Sequence, residues 1–212
     1  MFYKLGLKRL VLAAIALLWY SFPLCSNIDS LSALLETPVS DDRRSDIHRE
    51  LSEIYATRQK YQLAGSHLRK SIELLPLQSD TARYVSGLIT LSGYYLQSHL
   101  LESAYETARL ASQVSAEHKM DFIQGQALLN EGMILKEMND NSRALESLYK
   151  ALEFFKLEKD SLLMSYALNG IGVVRKKQDQ LNEARNYFKQ SLYLKEKFGT
   201  AADIITTKGN IA

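Results

Sequence analysis

The chain repeats itself every forty residues. Alanines mark this period at four positions: Ala64, Ala104, Ala144 and Ala184. Two columns of small residues keep the same period, twelve positions before and seven positions after these alanines: Ser52, Ser92, Gly132 and Gly172, then Ser71, Ala111, Ala151 and Ser191. Apolar residues follow each alanine by four positions: Leu68, Ala108, Leu148 and Phe188. Self-similarity at a fixed period of a few tens of residues is typical of a stacked repeat array.

The pattern inside each repeat is helical. Every unit contains two amphipathic stretches with apolar residues three and four positions apart. In the third unit these stretches run from Ile123 to Met138 and from Ala144 to Phe155. Residues 139–141, Asn-Asp-Asn, separate them, and both residue types are favoured in turns because their side chains bond nearby backbone. Since no long stretch alternates with period two, the sequence predicts an all-α chain.

The small columns predict how the helices pack, because two helices approach closely only where the facing side chains are small. The Ser/Gly column that begins at Ser52 and the Ala column that begins at Ala64 are predicted to face each other within a helix pair. The Ser/Ala column that begins at Ser71 is predicted to let the second helix meet the next unit.

This spacing resembles the tetratricopeptide repeat (TPR). The first unit carries the motif in these residues: Leu51, Ser52, Tyr55, Ala64, Leu68, Ser71 and Pro76. The fourth unit supplies Leu168, Ile171, Gly172, Ala184, Phe188 and Ser191. The family's usual period is about 34 residues, so longer helices are expected here. Two residues depart from the motif, since Glu131 stands where a Leu is expected and Arg175 where a Tyr is expected.

The resemblance implies a right-handed α-solenoid of helical hairpins over residues 45–212, with four full repeats and half of a fifth. The predicted units are residues 45–84, 85–124, 125–164, 165–204 and a partial unit at 205–212. Because the fifth unit stops halfway, we expect the chain to be a fragment of a longer protein; the alternative is that residues 200–212 form a short cap on the array.

The first 26 residues have the pattern of a secretory signal peptide. Three basic residues precede an apolar run from Leu10 to Tyr20, which is short for a membrane-spanning helix. An uncleaved anchor, or lipidation at Cys25, are the alternatives. Residues 27–44 are predicted to be a linker and the start of the first helix.

Composition and motifs predict a chain without catalytic or cofactor chemistry. Three of the 26 basic residues lie in the first nine positions, which leaves 23 against 24 acidic residues in the body. Such a balance gives no electrostatic footprint for nucleic acid. The four histidines are scattered without metal-ligand spacing, and no glycine-rich phosphate loop is present. We therefore expect no enzyme activity, no metal and no cofactor.

The first helices of a hairpin solenoid line a concave groove, where partners bind. Positions three before and one after the Ser/Gly column are the predicted groove residues: Arg49, Glu53, Ile89, Gly93, Leu129, Met133, Asn169 and Val173. They lack the ordered Lys and Asn residues with which some TPR proteins grip a free carboxylate. The set favours a peptide with an apolar centre, or a partner protein.

The leading hypothesis is an exported, non-catalytic binding scaffold, periplasmic or extracytoplasmic. It resembles the sensor half of bacterial membrane signalling proteins similar to those of Bacteroidota. Contact with a membrane is then expected only through an uncleaved N-terminal segment or a missing C-terminal span. The alternative is a self-contained secreted assembly scaffold without an output domain.

Overall fold

A computed structural model describes residues 23–75 and 80–211 of the chain. Ten α-helices form this described part: α1 Pro23–Leu35, α2 Asp41–Thr57, α3 Tyr61–Glu73, α4 Thr81–Gln97, α5 Leu101–Glu117, α6 Asp121–Glu137, α7 Asn141–Glu158, α8 Ser161–Lys177, α9 Leu181–Phe198 and α10 Ala201–Ile211. These ranges contain no strand, which confirms the predicted all-α class. Most of the predicted signal peptide, together with Pro76 and Ala212, lies outside the described residues. Within them, no helix has the length and apolar character that crossing a bilayer requires.

The helices divide into two compact units, one ending at Leu74 and the other beginning at Leu75. The first unit contains α1 to α3. Helix α1 occupies part of residues 27–44, where the sequence predicted a linker and the start of the first helix. Leu31 is buried against Ile47 and Leu51 of α2, with Ile28 and Leu35 packed beside it. The spacing of three and four residues places these apolar side chains on one face, so the segment is stabilised as a helix by packing on α2.

The second unit is a run of antiparallel hairpins, α4–α5, α6–α7 and α8–α9, followed by α10. From residue 41 onward a helix begins every twenty residues, so the hairpins start at 41, 81, 121 and 161. These starts lie four residues before the predicted unit boundaries. N-cap side chains stand before three of these four starts: Ser40, Asp80 and Asp160 each accept a hydrogen bond from the backbone N–H three residues later.

The link between α2 and α3 and the five links from α4 to α9 use the same tight turn. Residues in the left-handed region, with φ between 54° and 62°, recur at the helix ends: Gln59, His99, Lys119, Asn139, Lys159 and Asp179. Around Asn139, the next N–H, of Asp140, donates to Leu135 O at 2.9 Å, and the Asn139 N–H donates to Lys136 O at 3.2 Å. This pair of bonds is the Schellman motif, which satisfies the last carbonyls of the helix. The following helix therefore begins after one further residue, Asp140.

The small columns lie inside the helix pairs. All twelve column residues are buried, and the two glycines show why a small residue is required. A Cβ atom built on Gly132 would lie 2.7 Å from Leu148 Cγ, and one on Gly172 would lie 2.6 Å from Phe188 Cε1. Leu148 and Phe188, four positions after the column alanines of the third and fourth units, thus fill the space left by a glycine in the partner helix.

Two serines of the Ser/Ala column take part in hydrogen bonds within their own hairpin. Ser191 Oγ of α9 donates to Ser165 O of α8 at 2.7 Å, and Ser45 Oγ of α2 donates to Ser71 O of α3 at 2.9 Å. These bonds satisfy buried polar groups inside each pair. Contact of this column with the next unit stays a prediction.

Two histidines meet in the first unit. His48 Nδ1 of α2 and His67 Nδ1 of α3 are 3.0 Å apart, and their ring centroids are separated by 5.2 Å. With the nitrogens 3.0 Å apart, a centroid separation of 5.2 Å is close to the largest possible, so the two nitrogens point at each other. In this hydrogen bond one nitrogen carries the proton and the other accepts it. Tyr55 stacks on His67 with 20° between the ring planes. Burial, with help from the Lys70 charge, lowers the pKa of both imidazoles.

This pair predicts a loss of stability in acid. Since the unfolded chain protonates its histidines near pH 6.5 and the folded chain does so at lower pH, the unfolded state binds more protons as pH falls below about 6.5. The free energy of unfolding is thus constant above that pH and declines below it. When both Nδ1 atoms carry a proton, two N–H groups face each other and the hydrogen bond between the histidines is lost. The free energy of unfolding should then fall by the contribution of one hydrogen bond, roughly 1 kcal/mol.

Urea unfolding at pH 8 and pH 5.5, for the wild type and for His67→Gln, measures this effect. We expect the difference between the two pH values to shrink in the variant. His118→Gln is the matched control, because His118 is exposed at the C-cap of α5. An equal pH dependence in all three proteins would exclude the histidine pair as its source.

Candidate functional site

The first helices of successive hairpins in the second unit enclose a groove of about 510 Å³. Its described lining comes from α4, α6 and α8: Ser86, Ile89, Thr90, Gln126, Leu129, Asn130, Met133, Leu163, Tyr166 and Asn169. Apolar side chains from all three helices meet there, and neutral polar groups surround them. None of these ten lining residues carries a formal charge, although 24% of the chain is charged.

Four of the residues that the sequence singled out line this groove, Ile89, Leu129, Met133 and Asn169. Val173 and Gly93 are half-buried one turn further along α8 and α4, outside the lining. Arg49 and Glu53 belong to α2 in the first unit, where they form an ion pair at 3.1 Å. Their role in binding remains a prediction.

Sequence reasoning missed the polar lining, including Gln126, Asn130 and Tyr166. Gln126 and Tyr166 stand three residues before the predicted Leu129 and Asn169, on the same helix face. A rule that included the preceding helical turn would have found them. Asn130 is adjacent to Leu129 and gave no such signal, because its role depends on a neighbouring helix.

Asn130 connects α6 to α4. Its Nδ2 donates to Ile89 O at 3.0 Å and also to Ser92 Oγ. A carbonyl oxygen can only accept, so these contacts determine the orientation of the amide. The Asn130 Nδ2 group therefore faces α4.

Helix α10 supports the α8 side of the groove. Tyr166 OH donates to Asp203 Oδ1 at 3.1 Å, and Asn210 Nδ2 donates to Asn169 Oδ1 at 3.0 Å. The buried Lys195 of α9 lies beneath them, with its Nζ donating to Thr207 Oγ1 at 3.0 Å and lying 4.9 Å from the Tyr166 ring centroid. Burial lowers the pKa of Lys195, and the neighbouring Asp203 carboxylate offsets part of this effect.

The two residues that depart from the repeat motif are outside the groove lining. Burial raises the pKa of Glu131, while its hydrogen bond with Ser147 opposes the shift. Arg175 donates from Nη2 to Tyr149 OH at 3.2 Å, and Tyr149 OH lies 2.9 Å from Tyr187 OH. The hydrogen bond with Tyr149 raises the pKa of Tyr187 to about 12. These contacts join α7, α8 and α9 and belong to the packing of the array.

A smaller pocket of about 170 Å³ lies between α8, α9 and α10, lined in part by Phe188 and Ile211 with Lys176 and Arg185 at its edge. No group of three or more His, Cys, Asp or Glu side chains suited to a metal ion occurs in the part of the chain that the structure describes. The groove on α4, α6 and α8 is therefore the site with the best-defined chemistry.

Comparison with known proteins agrees with the repeat pattern. The family model of the tetratricopeptide repeat matches residues 125–155 and 165–198. A comparison with curated protein sequences gave no match.

Among solved structures, the apo form of RapI has a TM-score of 0.73 and 20% identity over 84% of this chain and 66% of its own. BtubC from P. vanneervenii has a TM-score of 0.69 and 18% identity, covering 89% of this chain and 78% of BtubC.

A third similar structure is a Rap protein complexed with Competence and Sporulation Factor. Its TM-score is 0.72 and its identity 15%, over 86% of this chain and 51% of that protein. The chain thus spans about half to two thirds of the Rap proteins that it matches. At these identities the likeness shows a shared fold. Residues 125–155 and 165–198 thus match the tetratricopeptide repeat, and the array of helical hairpins agrees with that match.

Proposed function

We propose that the groove on α4, α6 and α8 binds a peptide segment of a partner protein, and that the chain serves as a non-catalytic scaffold. The observation that supports this most directly is the apolar floor formed by Ile89, Leu129, Met133 and Leu163 from three helices. An apolar concave surface bordered by a few fixed polar groups is the usual form of a binding site.

The size of the groove favours a short segment over a large protein surface. A volume of about 510 Å³ lies within the range of pockets that take small ligands, which is about 300–1,000 Å³. A Rap protein of similar fold has been solved in complex with Competence and Sporulation Factor, so this fold is able to hold a partner.

A double charge substitution tests the groove. We expect Leu129→Glu with Met133→Glu to weaken peptide binding at least tenfold, or about 1.4 kcal/mol, because two carboxylates would be desolvated against an apolar ligand. Fluorescence anisotropy with peptides selected by display on the wild-type full chain measures the affinity.

The matched control is Leu110→Glu with Leu157→Glu, which adds the same charge on α5 and α7 outside the groove lining. Leu110 and Leu157 are exposed, so these changes should leave both folding and affinity unaltered. Equal affinities of the two double variants, with unchanged melting temperatures, would rule out the groove as the binding site.

We further propose that the protein is exported and forms the sensor part of a bacterial signalling protein. The support is the basic and apolar pattern of residues 1–20. Fusing residues 1–26 to a reporter that is active only outside the cytoplasm tests export. Replacing Leu12 and Leu17 by Arg should abolish the reporter signal, and a signal that persists would argue against a signal peptide.

A further inference from the structure

We infer that helix α10 sets the affinity of the groove, although it contributes no residue to the described lining. Its Asp203 and Asn210 are positioning residues, because each holds one polar side chain of the groove by a hydrogen bond. Peptide binding is therefore coupled to the docking of α10 on α8 and α9. The inference rests on the proposed function and adds to it two residues outside the site.

The two polar lining residues of α8 are both bonded to α10. Tyr166 and Asn169 lie three positions apart on one face of α8. Tyr166 OH donates to Asp203 Oδ1 at 3.1 Å, and the side-chain amides of Asn169 and Asn210 are joined at 3.0 Å. Within the described part of the chain neither lining side chain has another hydrogen bond. The contacts with α10 thus orient the polar ends of both side chains.

A single carboxylate links the first turn of α10 to the groove. Asp203 Oδ2 accepts from the Thr200 hydroxyl at 2.7 Å and from the Thr200 N–H at 3.0 Å, while the Asp203 N–H donates to Thr200 Oγ1 at 3.3 Å. This reciprocal arrangement is a capping box, which stabilises the start of a helix. The other carboxylate oxygen accepts from Tyr166. The side chain that caps α10 therefore also holds the tyrosine hydroxyl.

Helix α10 itself buries little apolar surface. Thr207 is its buried residue, and the Thr207 hydroxyl accepts from the Nζ of the buried Lys195 at 3.0 Å. Ile205, by contrast, is 70% exposed. A segment with few buried apolar contacts lies at the low end of local stability. The hydrogen bonds to Tyr166 and Asn169 are therefore an important part of what docks α10.

Docked α10 prepares the groove for a ligand. With α10 in place, the side chains of Tyr166 and Asn169 are ordered before a peptide binds. With α10 displaced, the peptide would have to order them, which weakens binding by about threefold to tenfold for each side chain. Because coupling between two equilibria is reciprocal, a bound peptide also stabilises the docked position of α10.

Substitution of Asn210 tests this coupling by fluorescence anisotropy. The probe is a fluorescein-labelled nonapeptide that is selected by display on the wild-type full chain and loses at least tenfold in affinity with Leu129→Glu and Met133→Glu combined. We expect Asn210→Ala to weaken binding of this probe at least threefold. Thr206→Ala is the matched control on α10, because Thr206 is exposed and its hydroxyl donates to Ala202 O within the helix. The control should leave the affinity unchanged, and equal affinities of the two variants would overturn the inference.

A double-mutant cycle separates positioning from a general loss of stability. Asn210 acts through Asn169, so Asn210→Ala should have no further effect on affinity in the Asn169→Ala background. In the same way, Asp203→Ala should lose most of its effect in the Tyr166→Phe background. A merely structural role would weaken binding equally in both backgrounds, and that result would refute the positioning role.

Hydrogen exchange measures the reciprocal effect on α10. A saturating amount of the probe should slow exchange of the α10 amides at least threefold in the wild type, and this slowing should be absent when Tyr166→Phe and Asn169→Ala are combined. Unchanged exchange of α10 in the wild type would refute the coupling while leaving peptide binding in place. If no displayed peptide depends on Leu129 and Met133, the proposed function and this inference both fail.

Discussion

Replacing Phe188 by alanine is expected to lower the free energy of unfolding by about 3–5 kcal/mol, the range typical of a deleted core aromatic. Phe188 is 1% exposed, and its ring fills the space above Gly172 in the partner helix. Removing the ring leaves a cavity that Gly172, which has no side chain, cannot fill. The α8–α9 pair then loses the buried apolar surface of the ring and its van der Waals contacts. Urea unfolding followed by circular dichroism measures the loss.

Tyr193→Ala is the matched control on the same helix, since Tyr193 is an aromatic residue with 58% exposure. Substitutions at such surface sites usually change stability by no more than about 0.5 kcal/mol. If Phe188→Ala and Tyr193→Ala cost the same, the small columns would not be the packing surface of the hairpin.

Gly172→Ala is expected to destabilise the protein by about 1–3 kcal/mol, the usual cost of overpacking. Alanine favours a helix over glycine by up to about 1 kcal/mol, so the sign of the effect depends on space. At Gly172 the new Cβ would lie 2.6 Å and 2.7 Å from two atoms of the Phe188 ring. An aromatic ring cannot bend away, and the helices must separate.

Gly93→Ala is the control with the opposite sign. A Cβ atom on Gly93 of α4 would meet nothing within 4 Å, so only the helix preference remains and stability should rise by up to about 1 kcal/mol. If Gly172→Ala and Gly93→Ala changed the free energy of unfolding equally, the helix preference of alanine alone would account for both, and the space around Gly172 would not matter.

The two α8–α9 substitutions should also be coupled. In the Phe188→Ala background the ring no longer opposes a Cβ on residue 172, so Gly172→Ala should become neutral or stabilising. A double-mutant cycle measures this interaction directly. Additive effects would mean that Gly172 and Phe188 do not contact each other in solution.

Local pattern accounts for most of the fold that could be predicted from the sequence. Apolar residues three and four positions apart indicate helices, and this pattern lies within each short stretch of sequence. Together with the forty-residue columns, such as those of Ala144 and Gly172, it is enough to predict the all-α class. Helix α1 was missed because its stability comes from Leu31 packing on α2 rather than from the repeat. The hairpins begin four residues before the predicted boundaries, and caps such as Asp160, which the repeat columns do not include, stand before three of the four starts.

The groove could be predicted in part for the same reason. Register along the first helices placed Ile89, Leu129, Met133 and Asn169, and the structure brings them to one lining. Register cannot show that Asn210 orients Asn169 across 41 residues, or that His48 reaches His67 in the next helix. Such contacts depend on how separate helices pack against each other, and the repeat pattern of a single sequence does not give the distance between two side chains on different helices.

The turns that link α4 to α9 repeat one geometry, and this determines which insertions and deletions in the gene the fold can accommodate. Because helices there begin at residues 81, 101, 121, 141, 161, 181 and 201, a duplication or loss of forty consecutive codons between α4 and α9 rejoins the chain in phase. Each new junction would again place a left-handed residue two positions before a helix start. A single-codon insertion would instead rotate the following helix face by about 100°. Recombination could therefore change the number of hairpins, and with it the length of the groove, whereas an insertion inside a helix would displace the buried column residues that follow it.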